Sequence, residues 1–150
     1  MTKHVVPLDV AYRHEVVADA PVEVVWDVLT DHAAYASWSG LPSARIIRAG
    51  DPDGVGAVRF LGAGPFGATE EVVAVEPGRR LVYRIVSGIP ATSYRGEVVL
   101  EPQGDRTRIV WRGGVARGPR WLRRPYSLLL GVVPGRLARG LARAAERRRH

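Results

Sequence analysis

Hydrophobic and polar residues alternate along several short stretches of this chain, the first of which is residues 10–18. In that stretch Tyr12 and Val16 fall on one side of an extended chain, and Arg13 and Glu15 fall on the other. A period of two residues is typical of a strand that buries one face and exposes the other. We therefore predict a half-buried strand over 10–18.

The period changes to that of a helix directly after this strand. Pro21 suits the first turn of a helix, where its missing N–H costs nothing. Val22, Trp26 and Leu29 then follow at spacings of four and three residues, which places them on one helical face. We expect Trp26 to pack in the core, and we predict a second short helix over 32–38.

From residue 43 onward the chain repeats a pattern of strand and turn. Six further strands are predicted, over 43–49, 55–62, 67–76, 79–88, 92–101 and 106–113. The separators GDPDG, AGPF, EPG, GIP and PQGD are rich in turn-forming residues. Connections this short imply an antiparallel meander. In the later strands one face is apolar and aromatic, and the other is charged.

The last part of the chain predicts a loop over 114–124 and a helix over about 125–149. Leu137 and Leu141 belong to its apolar stripe, and Pro134 is expected to kink or split it near its middle. The result is an α+β fold. A twisted seven-stranded sheet curls, and one helix cannot fill its concave side. We therefore expect a cavity between the sheet and this helix.

Length and composition add few constraints. A chain of 150 residues is most simply one domain, 1–150, with a core over about 10–145 and a basic tail at 146–150. Cysteine is absent, which excludes disulfides and thiol nucleophiles. We find no signal peptide and no apolar run that could cross a bilayer, so we expect a cytoplasmic protein.

The net charge of +7 is concentrated at the C-terminal end, where residues 117–150 hold ten arginines and one acidic residue. The arginines of the final helix could bind a membrane surface or RNA weakly; specific DNA recognition is not expected. The simpler alternative is a solvated helix face whose arginine stems cover apolar surface. The helical arginines in question are Arg136, Arg139, Arg143 and Arg147.

Four motifs in order resemble the START-like (SRPBCC) superfamily of polyketide cyclases/dehydrases and lipid-transport proteins. They read VADAPVEVVWDVLTD, HAAYASWSG, VEPGRRLVYRIVSG and GDRTRIVWRG. The resemblance covers nearly the whole chain. It implies a helix-grip fold, in which a curved sheet wraps around a long C-terminal helix and encloses a hydrophobic pocket. It also implies a role in carrying lipids, sterols or polyketides, or in cyclising or dehydrating aromatic polyketides.

The candidate ligand-binding residues are mostly aromatic and come from the predicted apolar face, the short-helix region and the last helix. Tyrosine and tryptophan combine apolar area with a hydrogen-bonding group, which suits a flat, mostly apolar ligand. Adjacent Glu70 and Glu71 point to opposite faces of a predicted strand, so one of them could enter the pocket. A carboxylate there has a raised pKa and could act as acid or base, although an ion pair with an arginine such as Arg59 is the simpler alternative. The set is Trp38, Phe60, Glu70, Tyr83, Tyr94, Trp111 and Tyr126.

No catalytic set follows from the residues. The four histidines have no metal-ligand spacing, and the glycine pattern at 62–67 precedes a strand rather than a helix, so no metal or cofactor is predicted. His14 lies on the apolar face of the first strand, where a core role is the simpler reading. We expect a protein that binds a small hydrophobic ligand. The alternatives are an aromatic polyketide cyclase/dehydratase and an interaction module that uses the basic helix.

Overall fold

Within the residues that the structure describes, three helices and seven strands follow one another in the predicted order. The computed structural model describes residues 10–63, 66–87, 94–115 and 120–149, with side chains within 12–62, 67–87, 94–114 and 132–149. The helices are α1 (Val22–Thr30), α2 (Tyr35–Ser39) and α3 (Arg120–Arg149), with a 3₁₀ turn at His32–Ala34. The strands are β1 (Val10–Ala18), β2 (Ser43–Arg48), β3 (Val58–Ala63), β4 (Phe66–Glu76), β5 (Arg80–Ser87), β6 (Tyr94–Gln103) and β7 (Arg106–Val115).

The strands form one curved antiparallel sheet in the order β1-β7-β6-β5-β4-β3-β2. The strands from β2 to β7 are a meander in which each strand pairs with the next, as their short connections require. The first strand returns to pair with the last, so β1 and β2 are the two edges. The predicted α+β architecture, with a long C-terminal helix, is confirmed.

The predicted loop over 114–124 is wrong at both ends. Strand β7 continues to Val115 because both of its neighbours extend as far: Tyr94 pairs with Val115, and Val10 pairs with Gly114. Helix α3 then begins at Arg120. Residues 114–115 and 120–124, predicted as loop, therefore belong to β7 and α3.

The last helix was predicted to kink or split near Pro134, and the split is wrong, because α3 is one helix from Arg120 to Arg149. Pro134 and Gly135 are both buried in its middle. A Cβ atom at Gly135 would lie 3.0 Å from Cε1 of His14, so β1 packs directly on the helix at this point. Tertiary packing of this kind overrides a local helix-breaking preference.

The corner between β1 and α1 is held by backbone and side-chain hydrogen bonds. Pro21 precedes the first turn, and its carbonyl accepts bonds from the N–H groups of Val24 and Val25. The hydroxyl of the fully buried Thr107 donates to the carbonyl of Ala20 at 2.8 Å. The corner is thus tied to β7, and the helical layer is fixed against the sheet.

Helix α3 packs on β1 and β7 and on the two short helices. A glycine allows α2 to approach α3 closely, because a Cβ atom at Gly140 would overlap the carbonyl oxygen of Trp38. Trp26 is partly buried and packs against the core from α1, as expected. Within the described residues, none of the helices is long and apolar enough to cross a lipid bilayer.

The outer face of the sheet carries ion pairs that join neighbouring strands. Glu97 accepts hydrogen bonds from Arg80 and Arg112 at 2.7–3.1 Å. Glu71 pairs with Arg84 in the same way across β4 and β5. The predicted alternation between an apolar and a charged face is therefore confirmed, and the chemistry of interest lies on the inner face, towards the helices.

Candidate functional site

Two glycines form a flat floor on the inner face of the sheet. Gly96 of β6 and Gly113 of β7 lie directly opposite each other in the register. A Cβ atom at Gly96 would lie 2.7 Å from Cε1 of Tyr83, and one at Gly113 would lie 2.8 Å from Cζ of Tyr12. Glycine in a strand often marks a close approach of another group. Here it lets two tyrosine rings lie against the backbone.

Above this floor, three tyrosines and one tryptophan form what we call the phenol cluster: Tyr12, Tyr83, Tyr94 and Trp111. The hydroxyls of Tyr12 and Tyr94 are hydrogen-bonded to each other. The indole N–H of Trp111 donates to the hydroxyl oxygen of Tyr83 at 3.0 Å. The ring centroids of Tyr83 and Tyr94 are 6.4 Å apart. Strands β1, β5, β6 and β7 each contribute one residue.

The phenol cluster is buried, and its tyrosine hydroxyls stay protonated. All four side chains are at most 6% exposed. Burial raises the pKa of Tyr12, Tyr83 and Tyr94 above the usual value for a phenol, so the hydroxyls are neutral donors at ordinary pH. Trp111 donates to the Tyr83 hydroxyl, and the single bond between the hydroxyls of Tyr12 and Tyr94 uses one of their two hydrogens.

A buried ion pair lies beside the phenol cluster. The guanidinium of Arg59 on β3 contacts Oε2 of Glu70 on β4 through Nε and Nη2, both at 3.1 Å. Arg59 is 2% exposed and Glu70 is 8% exposed. The centre of the guanidinium lies 5.8 Å from the ring centroid of Tyr83, so Arg59 joins the pair to the cluster. The ion pair that the sequence offered as the simpler role of Glu70 is present.

Burial raises the pKa of Glu70 above the usual carboxyl value, although the neighbouring Arg59 acts to lower it. Arg59 also lies over the ring of Tyr35 from α2, with 4.5 Å between the guanidinium and the ring centroid. The hydroxyl of Tyr35 is completely buried and has no hydrogen-bond partner among the described residues. The interior therefore holds a phenolic hydrogen that lacks an acceptor.

His32, in the 3₁₀ turn before α2, is the third partner of the arginine. Its Nδ1 atom lies 2.8 Å from Nη1 of Arg59. Because a guanidinium can only donate, Nδ1 accepts, and the ring hydrogen is on Nε2. Burial and, after it, the positive charge of Arg59 lower the pKa of His32 to about 4. His32 is therefore neutral at ordinary pH.

His32 predicts a loss of stability in mild acid. Its folded-state pKa of about 4 lies below the unfolded value of 6.5, so the unfolded chain binds the proton first as the pH falls. Between these values wild type should lose about 1–2 kcal/mol of unfolding free energy relative to His32→Gln, allowing for screening at a partly exposed site. Urea unfolding of both proteins near pH 7 and pH 4 measures the difference. Equal losses of unfolding free energy in wild type and His32→Gln would contradict the lowered pKa of His32.

The structure brings together four of the residues that the sequence predicts for the site: Glu70, Tyr83, Tyr94 and Trp111. Phe60 follows the inward-pointing Arg59 and so lies on the opposite, outer face, where Arg45 covers its ring at 5.1 Å. Trp38 belongs to the packing of α2 against α3. The side chain of Tyr126 lies outside the described residues.

Four interior residues were missed as site members: Tyr12, His32, Tyr35 and Arg59. Tyr12 could have been found, since it lies on the apolar side of the first predicted strand. His32 and Tyr35 belong to short helical segments, whose orientation no local period defines. Arg59 was considered only as a partner of Glu70. His14, which packs beside Tyr12, has a buried Nε2 with no hydrogen-bond partner among the described residues.

The described residues contain no group of acidic or histidine side chains arranged to hold a metal ion. Two glycines of the 62–67 pattern lie on paired strands, since Gly62 of β3 is opposite Gly67 of β4. A strand pair of this kind does not present the helix N-terminus that dinucleotide phosphates require. The chemistry that the site offers is therefore phenolic hydrogen bonding, one buried carboxyl group and apolar contact.

The sequence of the chain matches a known family. The sequence model described as polyketide cyclase/dehydrase and lipid transport matches residues 9–148. The chain belongs to this family. The resemblance stated from the four motifs is thus confirmed. Comparison with curated protein sequences finds no match.

Solved structures share the family's helix-grip fold. A protein from Thermobifida fusca, solved by NMR, is 26% identical, with 93% of this chain and 95% of that chain covered and a TM-score of 0.74. The ZhuI aromatase/cyclase from Streptomyces sp. R1128 is 23% identical, with 92% and 94% covered and a TM-score of 0.71. Norcoclaurine synthase from Thalictrum flavum is 15% identical, with 92% and 94% covered and a TM-score of 0.71.

Proposed function

We propose that this protein binds a small, mostly apolar molecule that carries carbonyl-type oxygens, on the inner face of the sheet beside the phenol cluster. The family match and the helix-grip fold support a ligand-binding or cyclase role. The finer proposal concerns the chemistry of the ligand. The ligand would be polyketide-like. Its fused or extended carbon skeleton would make apolar contacts, and its oxygens would accept hydrogen bonds from the tyrosine hydroxyls.

The observation that carries the proposal is a buried donor without an acceptor. The hydroxyl of Tyr35 is fully buried and has no hydrogen-bond partner among the described residues. A buried donor without an acceptor costs about 1–3 kcal/mol, and a ligand oxygen removes that cost. A ligand with acceptor oxygens is therefore favoured over a plain hydrocarbon of the same shape.

Close packing of the described interior has a kinetic consequence. Tyr83 is 2% exposed and Trp111 is completely buried. A ligand that reaches their polar atoms has to displace side chains or separate α3 from the sheet. Binding that requires such a change is slower than simple docking, with association below about 10⁵ M⁻¹s⁻¹.

A pair of matched ligands tests the preference for acceptor oxygens. Anthraquinone and anthracene have the same fused-ring skeleton, and only the first carries carbonyl groups. We expect anthraquinone to bind at least about tenfold more tightly, because one well-made hydrogen bond to a buried donor is worth roughly 1–1.5 kcal/mol. Quenching of tryptophan fluorescence gives both dissociation constants.

Variants locate the binding. Tyr83→Phe and Tyr35→Phe should each weaken anthraquinone binding by about three- to tenfold and leave anthracene binding unchanged. Phe60→Leu is the control, because Phe60 is aromatic but lies on the outer face, and it should change neither affinity. Equal affinities for the two ligands, or an equal loss in Phe60→Leu, would contradict the proposal.

Cyclisation or dehydration of a polyketide is the second candidate function, and Glu70 is the observation that favours it. A buried carboxyl group with a raised pKa can take or return a proton next to a bound carbonyl compound. Glu70→Gln keeps the hydrogen bond from Arg59 but cannot transfer a proton. Loss of turnover on a poly-β-ketone substrate in this variant, with anthraquinone binding retained, would support the enzyme; retained turnover would exclude Glu70 as its base.

A further inference from the structure

A second cavity lies on the helical side of the molecule, away from the phenol cluster. It is an open cleft of about 300 Å³ where α1, the 3₁₀ turn, α2 and the last turns of α3 meet. We call it the helical cleft. Val28, Trp38 and Ala144 provide apolar lining, and Asp31, Arg147 and Arg148 provide charge. None of these residues belongs to the phenol cluster or to the buried ion pair.

The charges of the helical cleft sum to one positive charge. Nη2 of Arg148 lies 3.9 Å from Oδ2 of Asp31, which is longer than a hydrogen bond. The guanidinium of Arg148 thus keeps donors available to another anion. Arg147 is exposed and has no ion-pair partner within the part of the chain that the structure describes. Because the two arginines have only the Asp31 carboxylate to balance them, one further negative charge is favoured, and the ligand is expected to be a monoanion.

Trp38 supplies the second, independent observation. The side chain lines the helical cleft and is only 7% exposed. Its indole N–H is buried and has no hydrogen-bond partner among the described residues. The part of Trp38 that the cleft exposes is therefore carbon, and it provides an aromatic surface beside the two arginines.

We propose that the helical cleft binds a small aromatic carboxylate. The carboxylate lies between Arg147 and Arg148, whose planar groups match its geometry. The ring packs against Val28, Ala144 and the indole of Trp38. The volume is at the lower end for small-molecule sites, which suits a ligand of one or two rings. This site is independent of the proposed function of the inner face.

Naphthoate and its neutral amide, naphthamide, test the proposal as a matched pair of probes. The indole N–H signal of Trp38, assigned with Trp38→Phe, is followed by ¹⁵N NMR as each probe is added. We expect a saturable shift with naphthoate and at least about tenfold weaker binding of naphthamide. Equal binding of the two probes, or saturation without a shift of Trp38, would overturn the proposal.

Two double variants with the same change in net charge separate the cleft from general basic attraction. Arg147→Gln/Arg148→Gln should weaken naphthoate binding by at least about tenfold. Arg136→Gln/Arg139→Gln, which removes two exposed arginines of the same helix outside the cleft, should change it by less than about twofold. Equal losses in the two double variants would show non-specific attraction and overturn the proposal.

Two single variants complete the test. Asp31→Asn removes the competing carboxylate and should tighten naphthoate binding by about two- to fivefold; weaker binding would count against the proposed position of the carboxylate. Tyr83→Phe alters only the inner face and should leave naphthoate binding unchanged. Loss of naphthoate binding in Tyr83→Phe would place the probe at the inner face and overturn the cleft assignment.

Discussion

Arg59→Met is expected to lower the free energy of unfolding by about 3–5 kcal/mol, the usual cost of removing one partner of a buried ion pair. The substitution preserves most of the side-chain length but leaves the Glu70 carboxylate buried without its cation. It also removes the donor to His32 and the cation over the ring of Tyr35. Urea unfolding followed by tryptophan fluorescence measures the loss.

A matched pair on the outer face is the control for this prediction. Arg84 and Glu71 join strands β4 and β5 by the same kind of contact, but Arg84 is half exposed. Arg84→Met should therefore cost at most about 1 kcal/mol. The double variant Arg59→Met/Glu70→Leu should recover most of the stability lost in Arg59→Met, because no charge is then left buried. A double variant no more stable than Arg59→Met would contradict the account of the buried pair.

Gly96→Ala is expected to lower the free energy of unfolding by about 1–3 kcal/mol, the usual cost of overpacking a core. In a strand without positive φ, alanine would ordinarily be tolerated or slightly stabilising. Here the new Cβ atom would meet the ring of Tyr83, which is itself packed on Trp111 through a hydrogen bond. The tyrosine has to move, and the buried indole N–H then loses its acceptor.

A double-mutant cycle shows whether the tyrosine ring is the cause. In the Tyr83→Leu background the overlap is relieved, so Gly96→Ala should become neutral or slightly stabilising. The coupling free energy between the two positions should then be at least about 1 kcal/mol. An equal cost of Gly96→Ala in both backgrounds would show that the glycine is required for another reason.

Local patterns predicted the strands and the facing of their side chains well. The period of two is visible in the sequence, so the inward position of Tyr83 and Trp111 and the outward position of Arg84 followed directly. Glu70 and Glu71 were expected on opposite faces, and they are: Glu70 is buried, and Glu71 pairs on the outer face.

Long-range contacts explain what the sequence could not reveal about the site. Hydrophobicity favours Phe60 inside and Arg59 outside. The reverse is observed because the partners of Arg59 come from three other elements: Glu70 from β4, His32 from the 3₁₀ turn and Tyr35 from α2. No local period indicates that these groups converge.

The helical layer was harder to predict for the same reason. Trp38 was expected at the ligand site because it follows the first helix and is aromatic. In the structure it packs against α3 at Gly140, and this contact joins two positions that are about a hundred residues apart in the sequence. The orientation of a short helix depends on the helix it contacts, and its own few residues do not define it.

The proposal that the inner face binds an oxygen-bearing apolar molecule is tested most directly by locating anthraquinone on the protein. Intermolecular nuclear Overhauser effects between anthraquinone and assigned aromatic side chains measure this position. We expect contacts to the rings of Tyr83, Tyr94 and Trp111, with a saturable shift of the Trp111 indole N–H signal. Contacts to Phe60 on the outer face, or saturation with no change at Trp111, would contradict the proposal.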